Sequence, residues 1–420
     1  MSTKYNKAEW AWISYDFANS SYHLLIPSVL LPLYYSSFIA NTFDGNSDLV
    51  WGIIIAIPIT ISALISPILG AFIDRTKTLR LIFVLTTIIT ITFCFALSFV
   101  PINIPLLCIL FFMIGFLFFN ISQFAYNAFL PMQASAQQGN SALLSGIGWG
   151  LGYLGGIVCA IPIYVLLKDI NITADYALFQ ICFVIVAFFY LIFSIPSLLY
   201  LKPISYNPGD KEIINVNTSF NDIIIFIKQW RQHRDLFKFL LATYLINDAL
   251  STLIFFTSIF ATETLNLSSS EIMIALFLFQ VVAIPMTILV TYIAEKTSYK
   301  IVFIATILLW IFLSSCFFFV HTKMQFYLGS VLIGIVIGST PALARAILSN
   351  YFTDESNEGK VFGFHAFASR ASSVLGPLVF GIVSTITGSQ SIALGSLVVF
   401  FVLSLPLVMS VDFQKYKSPK

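Results

Sequence analysis

Charge is what this sequence has least of. Only 10% of its 420 residues are Asp, Glu, Lys or Arg, whereas 58% are hydrophobic. A soluble domain carries about 25% charged residues, so a soluble globule is excluded. Cysteine is also sparse. The five thiols (Cys94, Cys108, Cys159, Cys182 and Cys316) are scattered within apolar stretches. That pattern excludes a disulfide framework and reads as small packing residues. No GxxxxGK[ST] occurs, which argues against transport driven by ATP hydrolysis on this chain. No metal or other cofactor is expected. The net charge of +2 gives no reason to expect a nucleic-acid partner.

Long apolar runs are what the chain has instead. Twelve can be read, at 10–39, 50–72, 80–100, 104–131, 142–167, 177–200, 237–262, 271–294, 300–320, 325–352, 361–387 and 391–411. About 20 apolar residues span a bilayer, and lipid offers no partner for stray backbone groups, so the runs should be helices. The fold class expected is an all-α polytopic membrane protein of twelve transmembrane helices in two six-helix halves. The first run has no small-residue cleavage site near its end, so it is expected to be a retained helix.

Lysine and arginine set the expected orientation. With both termini cytoplasmic, 17 of the 21 fall on the inner side, Lys168 and Lys323 fall outside, and Arg345 and Arg370 lie within runs. The longest polar stretch, 201–236, separates six runs from six. The expected organisation is therefore a bundle at 1–200, a cytoplasmic linker at 201–236 and a second bundle at 237–420. Internal offsets agree with a repeat of parallel halves. Asp74 and Glu295 end runs two and eight and are 221 apart; "GYLGG" (152–156) and "SVLGP" (373–377) show the same offset. The Phe, Ile and Asn content suggests an AT-rich genome and a bacterial inner membrane.

Against this apolar ground a few polar residues stand out. In "WAWISYDFANSSYHLLIPSVLLPLYY" (10–35), Asp16, Asn19, Ser20 and His23 follow i, i+3, i+4, i+7 and share one helix face. A charge near the bilayer centre costs several kcal/mol or more, so that face should meet protein or water. Run seven repeats the pattern with Tyr244, Asp248 and Ser251, flanked by Asn247 and Thr252; run four offers Asn120, Gln123 and Asn127; run eleven carries His365, Ser369 and Ser372 on one face, with Arg370 turned away by about 100° from Ser369; run ten carries Arg345. These groups suit a polar cavity for a solute. They suit equally a structural role, fixing helix register through buried pairs and hydrogen bonds. Gly148, Gly152, Gly155 and Gly156 in run five read as a smooth face for close helix contact.

The twelve runs in two halves, with "GAFIDRTKTLR" after run two, resemble the major facilitator superfamily. The opening stretch, "YNAFLP" (126–131), "SGIGWGLGYLGG" and "ALARAILSNYFTDESNEGKVFGFHAFASRASSVLGP" are more specific. They resemble the vacuole effluxer branch: autophagy-related vacuolar amino-acid exporters of fungi and their bacterial relatives, the unidentified major facilitator family. The resemblance implies an alternating-access transporter whose spans one, four, seven and ten line the path. Three departures are visible, one of them Arg370, which stands where relatives often have lysine and so keeps the positive charge. "LPMQASAQQ" lacks the arginine that often ends span four as partner to the acid of the span-two loop. Pro341 stands where relatives often have glutamine.

The expected function is thus secondary active or facilitative transport of a small polar organic solute, an amino acid or related metabolite, with protons as a candidate coupling ion. Substrate contacts are expected from Asp16, Asn19, Ser20, His23, Asn127, Tyr244, Asn247, Asp248 and Arg370. Proton coupling is assigned to Asp16, His23 and His365, and gating to Asp74, Arg75, Glu295 and Arg345. No catalytic residue is expected. A drug or toxic-compound exporter of the same fold is the alternative. Remoter ones are an intramembrane enzyme, for which Asp248 in "LINDAL" lacks a GxGD motif, and a membrane sensor.

Overall fold

The computed structural model describes residues 6–40, 46–76, 78–101, 104–129, 141–167, 176–201, 231, 233–351 and 375–412. The described chain is helical. In order the helices are α1 (Lys7–Leu25), α2 (Leu31–Phe38), α3 (Ser47–Thr76), α4 (Leu79–Leu97), α5 (Pro105–Ala128), α6 (Ser141–Leu167) and α7 (Tyr176–Tyr200). There follow α8 (Arg234–Glu263), α9 (Ser269–Lys296), α10 (Tyr299–Cys316), α11 (Lys323–Ile337), α12 (Ser339–Tyr351), α13 (Leu375–Thr387), α14 (Gln390–Ser396) and α15 (Val398–Met409).

Ten stretches among the described residues are long and apolar enough to cross a membrane. The first and eleventh expected spans are not among them: α1, 19 residues long, carries too many polar side chains, and span eleven is described only in part. Span one is broken into α1 and α2 by a wider turn at Ile26–Leu30, in which the Leu31 amide donates to the Ile26 carbonyl five residues back. Pro27 has no N–H to offer the His23 carbonyl, and Ser28 Oγ donates to that carbonyl instead, at 3.1 Å. Such widened turns are a common accompaniment of functional sites. Of span eleven only the apolar Leu375–Thr387 is described. Span ten is interrupted between α11 and α12 at Gly338. There Thr340 Oγ1 takes the Val336 carbonyl (2.8 Å) and receives Trp310 Nε1–H (3.0 Å).

The chain divides into two compact units: Met1–Ile39 with Ile61–Phe220, and Ala40–Thr60 with Asn221–Lys420. The leading part of α3 thus groups with the second unit. In the first unit, Tyr15 is the hub. Fully buried, its hydroxyl lies 3.0 Å from Thr87 Oγ1 on α4, 3.0 Å from Ser122 Oγ on α5 and 2.8 Å from the Tyr190 hydroxyl on α7. One phenol therefore ties α1 to three other helices. Beside it Trp12 stacks on Tyr126 (4.6 Å) while each ring's polar group bonds the other residue's carbonyl.

Both units close their last span in the same way. Arg80, at the start of α4, donates to the Leu198 and Leu199 carbonyls at the end of α7 (3.3 and 3.2 Å). Lys300, at the start of α10, donates to the Met409 and Val411 carbonyls at the end of α15 (2.9 and 2.8 Å). A cation at a helix C-terminus satisfies orphan carbonyls and complements the dipole.

Tyr15→Phe removes the hub hydroxyl and leaves its buried partners short of a bond. It should cost about 1–3 kcal/mol, read as a lower melting temperature in detergent. Phe83→Leu, beside the same ring but without a polar change, serves as the comparison for packing alone.

Candidate functional site

The acid of span one sits on glycine. Asp16 is half-buried on α1, and α6 presents Gly148, Gly152 and Gly155 to that helix. A methyl at Gly148 would collide with Asp16 Oδ2; one at Gly152 would lie 2.6 Å from Ser20 Oγ and 3.3 Å from the Asp16 carbonyl; one at Gly155 would run into the Phe17 carbonyl. The small residues let the two backbones approach closely. Asn19, buried, donates from Nδ2 towards Asp16 Oδ1 at 3.5 Å. One turn further, His23 is exposed and its ring stacks on Phe119 at 5.8 Å. The polar stripe therefore has two ends. Asp16 and Ser20 seat on α6, and His23 stands open at the widened turn.

The acid of span seven is seated in a related way in the second unit. Asp248 on α8 has no exposed surface. Its Oδ1 accepts the Gly376 N–H of α13 at 2.8 Å. A methyl at Gly376 would strike Thr252 Oγ1 and lie 2.8 Å from the Asp248 carbonyl and 3.1 Å from Asp248 Oδ1. The second carboxylate oxygen, Oδ2, is buried with no hydrogen-bond partner among the described residues. A bare carboxylate oxygen in a low-dielectric interior is costly, so this acceptor is poised for a donor. Gly155 and Gly376 are the residues at the 221 offset, and each is the point where a backbone carbonyl of span one or span seven comes closest.

The other expected residues are placed as follows. Tyr244 and Asn247 are half-buried on α8, Asn127 is exposed near the end of α5, and Arg345 is half-buried on α12. Asp74 and Arg75 lie in the last turn of α3, and Glu295 near the end of α9. His365 and Arg370 lie outside the described residues. Asp48 was missed by the sequence reading. It is buried near the start of α3, with Ser384 and Gln390 on its carboxylate. Its only sequence signal was an acid at the edge of a run.

Residues 50–419 match the family described as vacuole effluxer Atg22 like. The chain belongs to that family. Over 97% of its length it is 28% identical to an uncharacterized MFS-type transporter, YxiO, of Bacillus subtilis, covering 95% of that protein. It is 25% identical over 66% of its length to autophagy-related protein 22 of Yarrowia lipolytica, of which it spans about half. Among solved structures, a bacterial homolog of the human lysosomal transporter Spinster, inward-facing and unoccupied, superposes with a TM-score of 0.68 at 14% identity, covering 99% of this chain and 98% of that one. A D-xylose–proton symporter gives 0.68 at 13% identity, with 98% of each chain covered. The nucleoside transporter NupG gives 0.64 at 14% identity, with 98% and 100% covered. The fold is the major facilitator fold. This Atg22-like protein is a multi-pass membrane transporter, not an enzyme.

The two seams make a prediction with a built-in control. Gly→Ala within a helix gains about 0.5–1 kcal/mol where space is open, and overpacking costs about 1–3 kcal/mol. Gly150 and Gly329 have nothing within 4 Å of an added Cβ, so alanine there should leave the melting temperature unchanged or raised. Gly155→Ala and Gly376→Ala should lower it.

Proposed function

We propose that this chain is a secondary transporter of a small zwitterionic solute, an amino acid or a close relative, working by alternating access with protons as the coupling ion. The observation that supports the reading is the Asp248 carboxylate, with one oxygen fixed by a backbone amide and the other buried without a partner among the described residues. A zwitterion needs one anion and one cation. Asp248 Oδ2 takes the ammonium, and Arg370, through its planar fork, takes the carboxylate. Asp248 is covered by α13 at Gly376, so binding requires α13 to lift from Asp248.

The remaining roles follow the stripes. Asn19, Ser20, Asn127, Tyr244 and Asn247 supply polar contacts along the solute path. Asp16, His23 and His365 carry protons, and Asp74, Arg75, Glu295 and Arg345 belong to gates. The halves at 1–200 and 237–420 are joined by a cytoplasmic linker, both termini are cytoplasmic, and the membrane is a bacterial inner membrane. The distribution of lysine and arginine supports that orientation.

A thermal-shift screen of purified protein against amino acids, small peptides, nucleosides, pentoses and lipophilic cations, at two pH values, tests this. A ligand at 100 times its Kd stabilises the folded state by about 2.7 kcal/mol. The expected result is a shift with an amino acid that disappears in Asp248→Asn and in Arg370→Ala. A shift confined to lipophilic cations would replace this reading with the drug-exporter one. A shift with an amino acid that survives in Asp248→Asn would remove Asp248 from the site.

A further inference from the structure

The leading end of α3 is fastened to the second unit by a set of contacts that no solute-binding role absorbs. Asp48, 7% exposed, accepts Ser384 Oγ–H from α13. It also accepts Gln390 Nε2–H from α14, at 3.1 Å to Oδ1 and 3.2 Å to Oδ2. The same Gln390 amide nitrogen donates to Glu263 Oε2 at the end of α8 (2.7 Å), and its Oε1 accepts Thr264 Oγ1–H (3.0 Å). One glutamine therefore holds two carboxylates from two helices. Gly388, at φ +63°, lets the chain reverse between α13 and α14, a left-handed conformation that glycine adopts freely, and so returns Gln390 to the level of Ser384.

Below this polar cap the helices touch backbone to backbone. A methyl at Gly381 would lie 2.6 Å from Leu49 Cα and 3.0 Å from the Asp48 carbonyl, and one at Gly52 would lie 2.5 Å from the Pro377 carbonyl. Trp51, fully buried, donates Nε1–H to the Phe255 carbonyl at 3.2 Å. The seam is smooth, held mainly by van der Waals packing, and the polar bonds are gathered at one end. Every donor to Asp48 is neutral among the described residues. The hydrogen bonds that hold Asp48 are therefore of the neutral-donor kind, which cost less to break than a desolvated ion pair.

We propose that Asp48, Ser384, Gln390 and Glu263 form a releasable latch. It holds α3 on α13 and α8, and α3 leaves this seat as one segment when the transporter opens at this end. Under the orientation proposed above this is the extracytoplasmic end. The latch rests on the transport reading but on no particular solute.

Hydrogen–deuterium exchange of the full chain in lipid nanodiscs tests it, without solute. If α3 leaves as a unit, the peptide over residues 47–57 in the unaltered protein exchanges in a correlated manner, giving two isotopic envelopes. Asp48→Ala and Gln390→Ala should each raise the fraction in the heavier envelope by about tenfold, the effect of losing a bond or two worth about 1 kcal/mol each. Asp48→Asn, which keeps an acceptor oxygen and the side-chain shape, should give a smaller rise. Peptides from α4, α5 and α10 should be unchanged in all three variants. A single envelope unaffected by any variant would overturn the latch. So would faster exchange spread over the whole second unit, since Asp48 would then be an ordinary structural residue. A solute screen that favours drugs would leave these outcomes untouched.

Discussion

Asp248 can be buried because Gly376 has no side chain. The backbone N–H of Gly376 reaches the carboxylate at 2.8 Å, and any larger residue would occupy the space of Thr252 and Asp248 itself. A lipid environment makes a lone carboxylate expensive, so the acid persists only under such a cover. The same constraint shapes the first unit, where Asp16 shelters against Gly148 and its helix packs on Gly152 and Gly155. In each half the acid of the first span is thereby coupled to the position of the fifth. Under the proposed function, a solute that reaches that acid has to move the neighbouring helix, and that would link occupancy to conformation.

Rigidity and mobility are divided by chemistry. The first unit is pinned by hydrogen bonds that converge on single side chains, Tyr15 above all. Cations from the third span of each half close the carbonyl end of the sixth. The seams around the acids, and that between α3 and α13, are instead glycine-lined, with few polar bonds across them. Surfaces of that kind slide or part at little cost, whereas a buried hub bond is costly to break.

The fold was legible because its signals are long. An apolar run of about 20 residues is hard to mistake, and eleven of the twelve runs coincide with helices over most of their length. The interruptions were less so. The widened turn after His23 depends on Ser28 taking a carbonyl that Pro27 leaves bare, which the apolar pattern does not encode. The glycine face of span five and its 221-residue echo were readable from sequence, and Gly155 and Gly376 are where the backbones meet most closely. The seating of Asp248 was not. Helical spacing put it on the polar stripe, but its contact with a residue 128 positions away is a product of packing. Asp48 escaped for the same reason: its partners Ser384 and Gln390 are more than 330 residues distant. Lysines and arginines read as orientation signals turned out also to cap helices.

The proposed transport cycle turns on Asp248 exchanging its glycine cover for a solute. The most direct measurement is an experimental structure of the protein saturated with an amino acid that stabilises it. The expected result is a Gly376 N to Asp248 Oδ1 contact opened beyond hydrogen-bonding distance, and the solute nitrogen within about 3.2 Å of the Asp248 carboxylate. A bound amino acid with Asp248 still sealed beneath Gly376 would contradict it.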